Sequence, residues 1–148
     1  MPERGSFLAE LRERYRSYEE TVEELERNRK FGEGIFGIKG GPADNPCHDR
    51  FAEEMRTAFA DYAASRPDSD EVREVLGFVF DEPLNYRGPQ CAGWMLMAVQ
   101  GLTGALIPLL SKEDAAALAA SYGKQYPRWK RLPNQDQIYA LLKKTAGA

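Results

Sequence analysis

Cys47 and His48 stand side by side at the end of FGEGIFGIKGGPADNPCH (residues 31–48), where chemistry is first to be sought. His48 is the chain's only histidine and Cys47 is one of two cysteines. A thiol in the first turn of a helix meets unpaired N–H groups and the positive end of the helix dipole, which stabilise a thiolate. Asn45 as N-cap, with Pro46 at the first helical position, puts Cys47 in such a turn. The adjacent imidazole is not automatically its base, because neighbours on a helix point about 100° apart. Asp44 and Asp49 also oppose a thiolate. Two functional readings follow: a thiol-dependent site at Cys47–His48, or a metal centre formed by Cys47, His48 and Cys91, with Asp44 as a fourth ligand. No C-x-x-C or H-x-x-x-H spacing supports the metal. The competing structural reading is a cysteine buried at a helix start and chemically inert.

The same stretch spells G-x-G-x-x-G with Gly32, Gly34 and Gly37. A dinucleotide cradle needs a strand before the first glycine and a helix opening at the loop, so that backbone N–H groups meet the pyrophosphate. Here the charged run EELERNRK precedes it, and two further glycines and a proline follow. No G-K-[ST] completes a P-loop. The glycines read as a joint between two helices, and no cofactor is implied.

A third candidate is YPRWKRLPNQ (residues 126–135). Arg128, Lys130 and Arg131 surround Trp129 and Tyr126. Cations interleaved with exposed aromatics can grip a phosphate backbone and stack a base, or grip an acidic protein surface. Alternatively, Trp129 and Leu132 anchor the loop to the core while the cations face water.

The elements that must position these residues read as helices throughout. Leu8, Leu11, Tyr15, Tyr18, Val22 and Leu25 recur at alternating spacings of three and four, a heptad seam on a helix over about 6–30, with charges on its other faces. That seam either docks on the chain's own core or pairs with a second copy. A Gly-rich loop spans 31–45. A second helix from Pro46 carries Phe51, Met55, Ala58, Phe59 and Tyr62 as its stripe. A third, after Pro67, carries Val72, Val75, Leu76, Val79 and Phe80, and DEPLNYRGP reads as a connection. Gly88 to Ser111 contains no charge and is apolar all round, which predicts a central buried helix over about 89–110 rather than a membrane span. Ser111 and Asp114 form a capping box for a short helix that Gly123 can end. Pro133 starts the last helix, with Ile138, Leu141 and Leu142. No strand alternation and no internal repeat is visible.

Composition is consistent with this. The chain has 148 residues, 43% hydrophobic and 29% charged, which suits one globular domain over residues 1–148. Its net charge of −3 gives no global attraction to nucleic acid or anionic lipid. The charge is uneven: −1 over residues 1–31, −6 over 32–111 and +4 over 112–148. Two cysteines make no disulfide framework, and the N-terminus lacks the apolar run of a signal peptide, so the cytoplasm is the expected compartment. The expectation is an all-α bundle of about six helices. It is a non-enzymatic protein-interaction module that binds a protein partner or self-associates through the seam. Nucleic acid and membrane are the less favoured partners.

Overall fold

Four of the six helices carry an apolar stripe at helical spacing, and the uncharged segment supplies a fifth helix. The computed structural model describes residues 5–29 and 41–147. The helices are α1 (Ser6–Arg27), α2 (Cys47–Ala64), α3 (Ser69–Asn85), α4 (Gln90–Val99), α5 (Lys112–Gln125) and α6 (Pro133–Thr145). Among the described residues there is no strand, so the fold is an all-α bundle. The Gly-rich loop expected over 31–45, with its G-x-G-x-x-G, lies up to residue 40 outside the described residues. The element before it, α1, is a helix through Arg27 rather than the strand a dinucleotide fold requires.

The heptad seam is spent inside the chain. Leu11, Tyr15, Tyr18 and Val22 are buried, and Leu8 packs against the same core. Aromatic pairs weld α1 to α2: Phe7 stacks on Tyr62 at 3.9 Å and Tyr18 on Phe51 at 4.1 Å. Such pairs contribute about 0.5–1.5 kcal/mol each beyond area burial. Leu25, the last seam position, is half-buried and stands outside that core. The opposite face of α1 holds Arg14–Glu10 and Arg16–Glu20 pairs one turn apart, of little energetic weight.

Three expected boundaries move, each for a local reason. α1 stops at Arg27 rather than residue 30, with Asn28 closing its last turn. α3 runs through Pro83 to Asn85, absorbing half of the expected connection. Pro83 sits in the last turn, where its missing N–H costs a single bond. α5 does not end at Gly123 but continues to Gln125. A Cβ at 123 would press the Tyr139 ring at 3.3 Å, so this glycine serves close α5–α6 approach rather than helix termination.

The uncharged segment corrects the largest expectation. It is not one α-helix over 89–110: α4 ends at Val99, and tighter 3₁₀ turns follow at Gln100–Ala105 and Ile107–Leu109. Gly101, Gly104 and Pro108 weaken the α-helical ladder there. Nor is the segment sheathed on every side. Leu96, Val99, Leu106 and Ile107 are buried, while Trp94, Ala98, Ala105 and Pro108 face solvent. The buried side carries Gln100, fully enclosed, whose side chain joins three helices. Its Nε2 donates to the Tyr126 hydroxyl at 2.9 Å, and its Oε1 accepts from the Tyr122 hydroxyl at 3.0 Å. Gln135 donates to the same Oε1 at 3.4 Å, and Tyr126 donates onward to the Phe80 carbonyl at 2.7 Å.

The capping box at Ser111 is shared with another helix. Ser111 Oγ accepts the Asp114 amide at 3.1 Å as the sequence predicts. The Asp114 carboxylate, however, turns to the Ser69 hydroxyl at 2.6 Å and Arg73 at 3.0 Å, and the Ser111 amide donates to Ser69 Oγ. The Ser69 bond is the main cause holding Asp114 below the usual carboxylate range, with Arg73 and Ser111 adding to it. The starts of α3 and α5 are thus capped jointly.

Replacing Gln100 with Leu leaves two tyrosine hydroxyls and Gln135 short of a buried partner. We expect a loss of about 2–3 kcal/mol in urea unfolding, from the cost of unsatisfied buried groups. A loss below about 0.5 kcal/mol would show that the network is not a constraint.

Candidate functional site

The Cys47–His48 corner is built by a local cap. Asn45 Oδ1 accepts the Cys47 amide at 2.9 Å, and the Pro46 carbonyl accepts from Arg50 at 3.0 Å, so Asn45 satisfies the first amide of α2 and Pro46 stands just before it. His48 then points inward. Its Nε2 donates to the Pro42 carbonyl at 2.5 Å, because a carbonyl only accepts. Nδ1 pairs with the Tyr18 hydroxyl, also at 2.5 Å. Both nitrogens are engaged, and the ring is a strut that ties the 42–44 turn to α1. It is not a base for Cys47.

Cys47 is half-buried and faces an open groove of about 350 Å³ between α1 and α2, lined also by Arg14, Ser17, Tyr18 and Arg50. Burial and the nearby Cys91 push the Cys47 thiol up, and Arg50 and the local backbone bond only partly offset this. Burial likewise raises Cys91. The structure does bring the two sulfurs into one neighbourhood, since each acts electrostatically on Tyr18. Among the described residues no three histidine, cysteine or acidic side chains converge as metal ligands.

A polar cluster that sequence reasoning missed adjoins this corner. Glu82 on α3 acts on Glu19 on α1, whose Oε1 is buried without a hydrogen-bond partner among the described residues. The Tyr15 hydroxyl, one turn earlier, and the Tyr86 hydroxyl after α3 are also buried without partners. Burial raises both phenols, Tyr15 with added push from Glu82 and Glu19, and Tyr86 from Glu23 and Glu19. Burial first, then Glu82 and Glu23, pushes the Glu19 carboxyl up to about 7. The Tyr15, Glu19, Glu23 spacing of four was the available signal. It was masked because glutamates on α1 read as its wet face.

The basic loop takes the opposite course from Cys47. Tyr126 is buried in the Gln100 network rather than offered for stacking. Pro127 accepts from the Lys130 and Arg131 amides at 2.8 and 3.1 Å, closing a fixed turn. Trp129 rides on that turn 85% exposed, and Leu132 is 37% exposed, so neither anchors the loop. Arg131 is withdrawn: its Nε lies 2.8 Å from Asp136, off the line of a hydrogen bond, and its guanidinium covers the Tyr139 ring at 4.3 Å. Arg128 and Lys130 face solvent and form no ion pair among the described residues. The turn leads into α6 beside α4, where Gln135 Nε2 approaches Met97 Sδ at 3.7 Å. Trp94, 58% exposed, lies one turn before Met97.

No protein-family model matches this chain, and no curated protein or solved structure resembles it significantly. The chain's own chemistry is what bears on its role. No described helix is long and apolar enough to cross a membrane.

Two outcomes test the site's electrostatics. In the unfolded chain Glu19 titrates near 4.5, and in the fold near 7. Between those values the folded chain holds a proton that the unfolded chain has released. Stability supplied by this group is complete below about 4.5 and is lost as pH rises through about 7. The unfolding midpoint should fall between pH 5 and pH 8, and Glu19→Gln should flatten that fall; an unchanged slope in the variant removes the assignment. Cys47, with its thiol raised, should react with iodoacetamide at pH 7 more slowly than an unhindered model thiol. Faster reaction would restore the reactive-cysteine reading.

Proposed function

We propose that this chain is a small non-enzymatic helical interaction module, and that it docks an acidic protein segment on the turn that presents Trp129. The exposure of Trp129 carries this reading. A tryptophan 85% exposed on a hydrogen-bonded turn is a costly surface for a lone chain to keep, and tryptophan with arginine dominates binding hot spots. Charge selects the partner's sign. Arg128 and Lys130 flank Trp129 without ion pairs among the described residues, in a C-terminal quarter of net charge +4. An acidic segment with an apolar anchor complements that surface, and the attraction acts mainly on encounter rate.

Two other readings have less support. The thiol- or metal-dependent site at Cys47–His48 lacks a base, because both His48 nitrogens are engaged, and lacks an activated thiolate. Nucleic-acid contact through residues 124–131 would use Trp129 as its one stacking platform, since Tyr126 is buried.

Three defined probes separate these readings: an acidic peptide carrying leucine and phenylalanine anchors, oligo(dT), and anionic phospholipid vesicles. Trp fluorescence of the full chain should shift to the blue with the peptide. Trp129→Ala should weaken peptide binding about thirtyfold, the loss of a hot spot worth about 2 kcal/mol. Arg128→Glu should slow association and reduce its salt dependence. Binding of the oligonucleotide or vesicles instead, or peptide binding indifferent to both substitutions, overturns the assignment.

A further inference from the structure

Phe7 and Tyr62 lay an aromatic floor where the start of α1 packs on the end of α2. Their rings stack at 3.9 Å, with Phe7 only half-buried. That floor lies in an open groove of about 480 Å³ between the two helices. Glu54, Ala58 and Asp61 share one face of α2, by their spacing of four and three, and line the groove from that side. Glu10 and Arg14 line it from α1.

The groove is electrically one-sided. Four carboxylates, Glu53 included, line it against one guanidinium. That guanidinium is divided, with Arg14 2.9 Å from Glu10 and 3.4 Å from Glu54. Glu53 turns to Arg56 at the surface. Asp61 forms no ion pair among the described residues. An apolar floor under an acidic rim suits a partner that offers an aromatic anchor between cations. Polyanions such as nucleic acid are repelled by the same rim.

The chain carries such an anchor. Trp129 stands out from a turn closed by two bonds to the Pro127 carbonyl, between exposed Arg128 and Lys130. The turn joins α5 to α6, whereas the groove belongs to α1 and α2. Trp129 is exposed, so a chain does not seat its own turn in its own groove. A second copy brings the complement: a basic C-terminal quarter of +4 meets a rim with an excess of carboxylates.

We propose that the acidic groove between α1 and α2 receives the Trp129 turn of a second copy of this chain. Trp129 lies on the Phe7–Tyr62 floor, and Arg128 and Lys130 meet the carboxylates of the rim. This pairing rests on the docking role of Trp129 and names its acidic partner. The two surfaces differ, so the contact runs head to tail. Each bound pair keeps one free turn and one free groove, and it extends into open chains or closes as a ring.

Sedimentation of the full chain at rising concentration tests this, at about 0.05 M and about 0.5 M salt. The average mass should climb above the monomer at low salt and return toward it at high salt. Trp129→Ala should raise the concentration needed about thirtyfold. Glu54→Lys together with Asp61→Lys should raise it by about tenfold or more, through like-charge contact. Each of these variants keeps the surface that the other lacks. Mixed, they should form a pair that grows no further. The groove variant should still bind the acidic peptide, which separates this pairing from the reading of Trp129. A chain that stays monomeric to about 1 mM at low salt and binds the peptide overturns the pairing and leaves the docking role standing. Association that survives the groove substitutions also overturns the pairing. Association and peptide binding both indifferent to Trp129→Ala overturn the two together.

Discussion

A single uncharged side chain, Gln100, fixes the relative positions of most of the bundle. It sits where α4 tightens into 3₁₀ turns, and it is fully enclosed. Its amide must find both donors and acceptors inside, because leaving either unpaired in an apolar interior costs more than the bonds return. Tyr122 on α5, Tyr126 at the end of α5 and Gln135 on α6 meet that need. Tyr126 then reaches the backbone of α3 at Phe80. Apolar packing alone tolerates sliding by part of a turn, whereas a four-way amide network admits one register. The starts of α3 and α5, joined through Ser69 and Asp114, repeat the constraint at the other end of that helix pair.

α1 is held differently, and the contrast is informative. Its seam is secured by aromatic stacking on α2 and by one buried polar bond, Tyr18 to His48. Beside that bond, Tyr15, Glu19 and Tyr86 leave three buried atoms unpaired. The network around Gln100 is closed and explains itself as architecture.

Much of the fold was readable from the residues. Stripes such as Val72–Phe80 on α3 and Phe51–Tyr62 on α2 bury as their spacing requires, because each amphipathic helix has a single way to hide its apolar face. The cap at Asn45 and the box at Ser111 were readable for the same local reason. The uncharged segment was not. Lack of charge was equated with burial, but a side lined by alanine, glycine and Pro108 costs little when wet, and so the segment lies half at the surface. The candidate sites were legible only as a list of reactive residue types. That His48 would be used up by Tyr18 and Pro42 depends on a contact thirty residues away, and the Glu19–Glu82 pair spans still more chain. Neither partner leaves a local trace in sequence.

The exposure of Trp129 gains its meaning from the rigidity beneath it. An aromatic on a fraying loop samples many positions, and a partner must bear the entropy of fixing it. Here the residue three places before it, Tyr126, is locked to Gln100 and Phe80. Two backbone bonds to Pro127 close the turn, and Arg131 is pinned between Asp136 and the Tyr139 ring. The turn is therefore built before any partner arrives, and its tryptophan is held outward by groups that are themselves buried. A core glutamine that sets the register of α5 and α6 also sets where this side chain projects, which places the cause of a surface feature in the interior of the bundle.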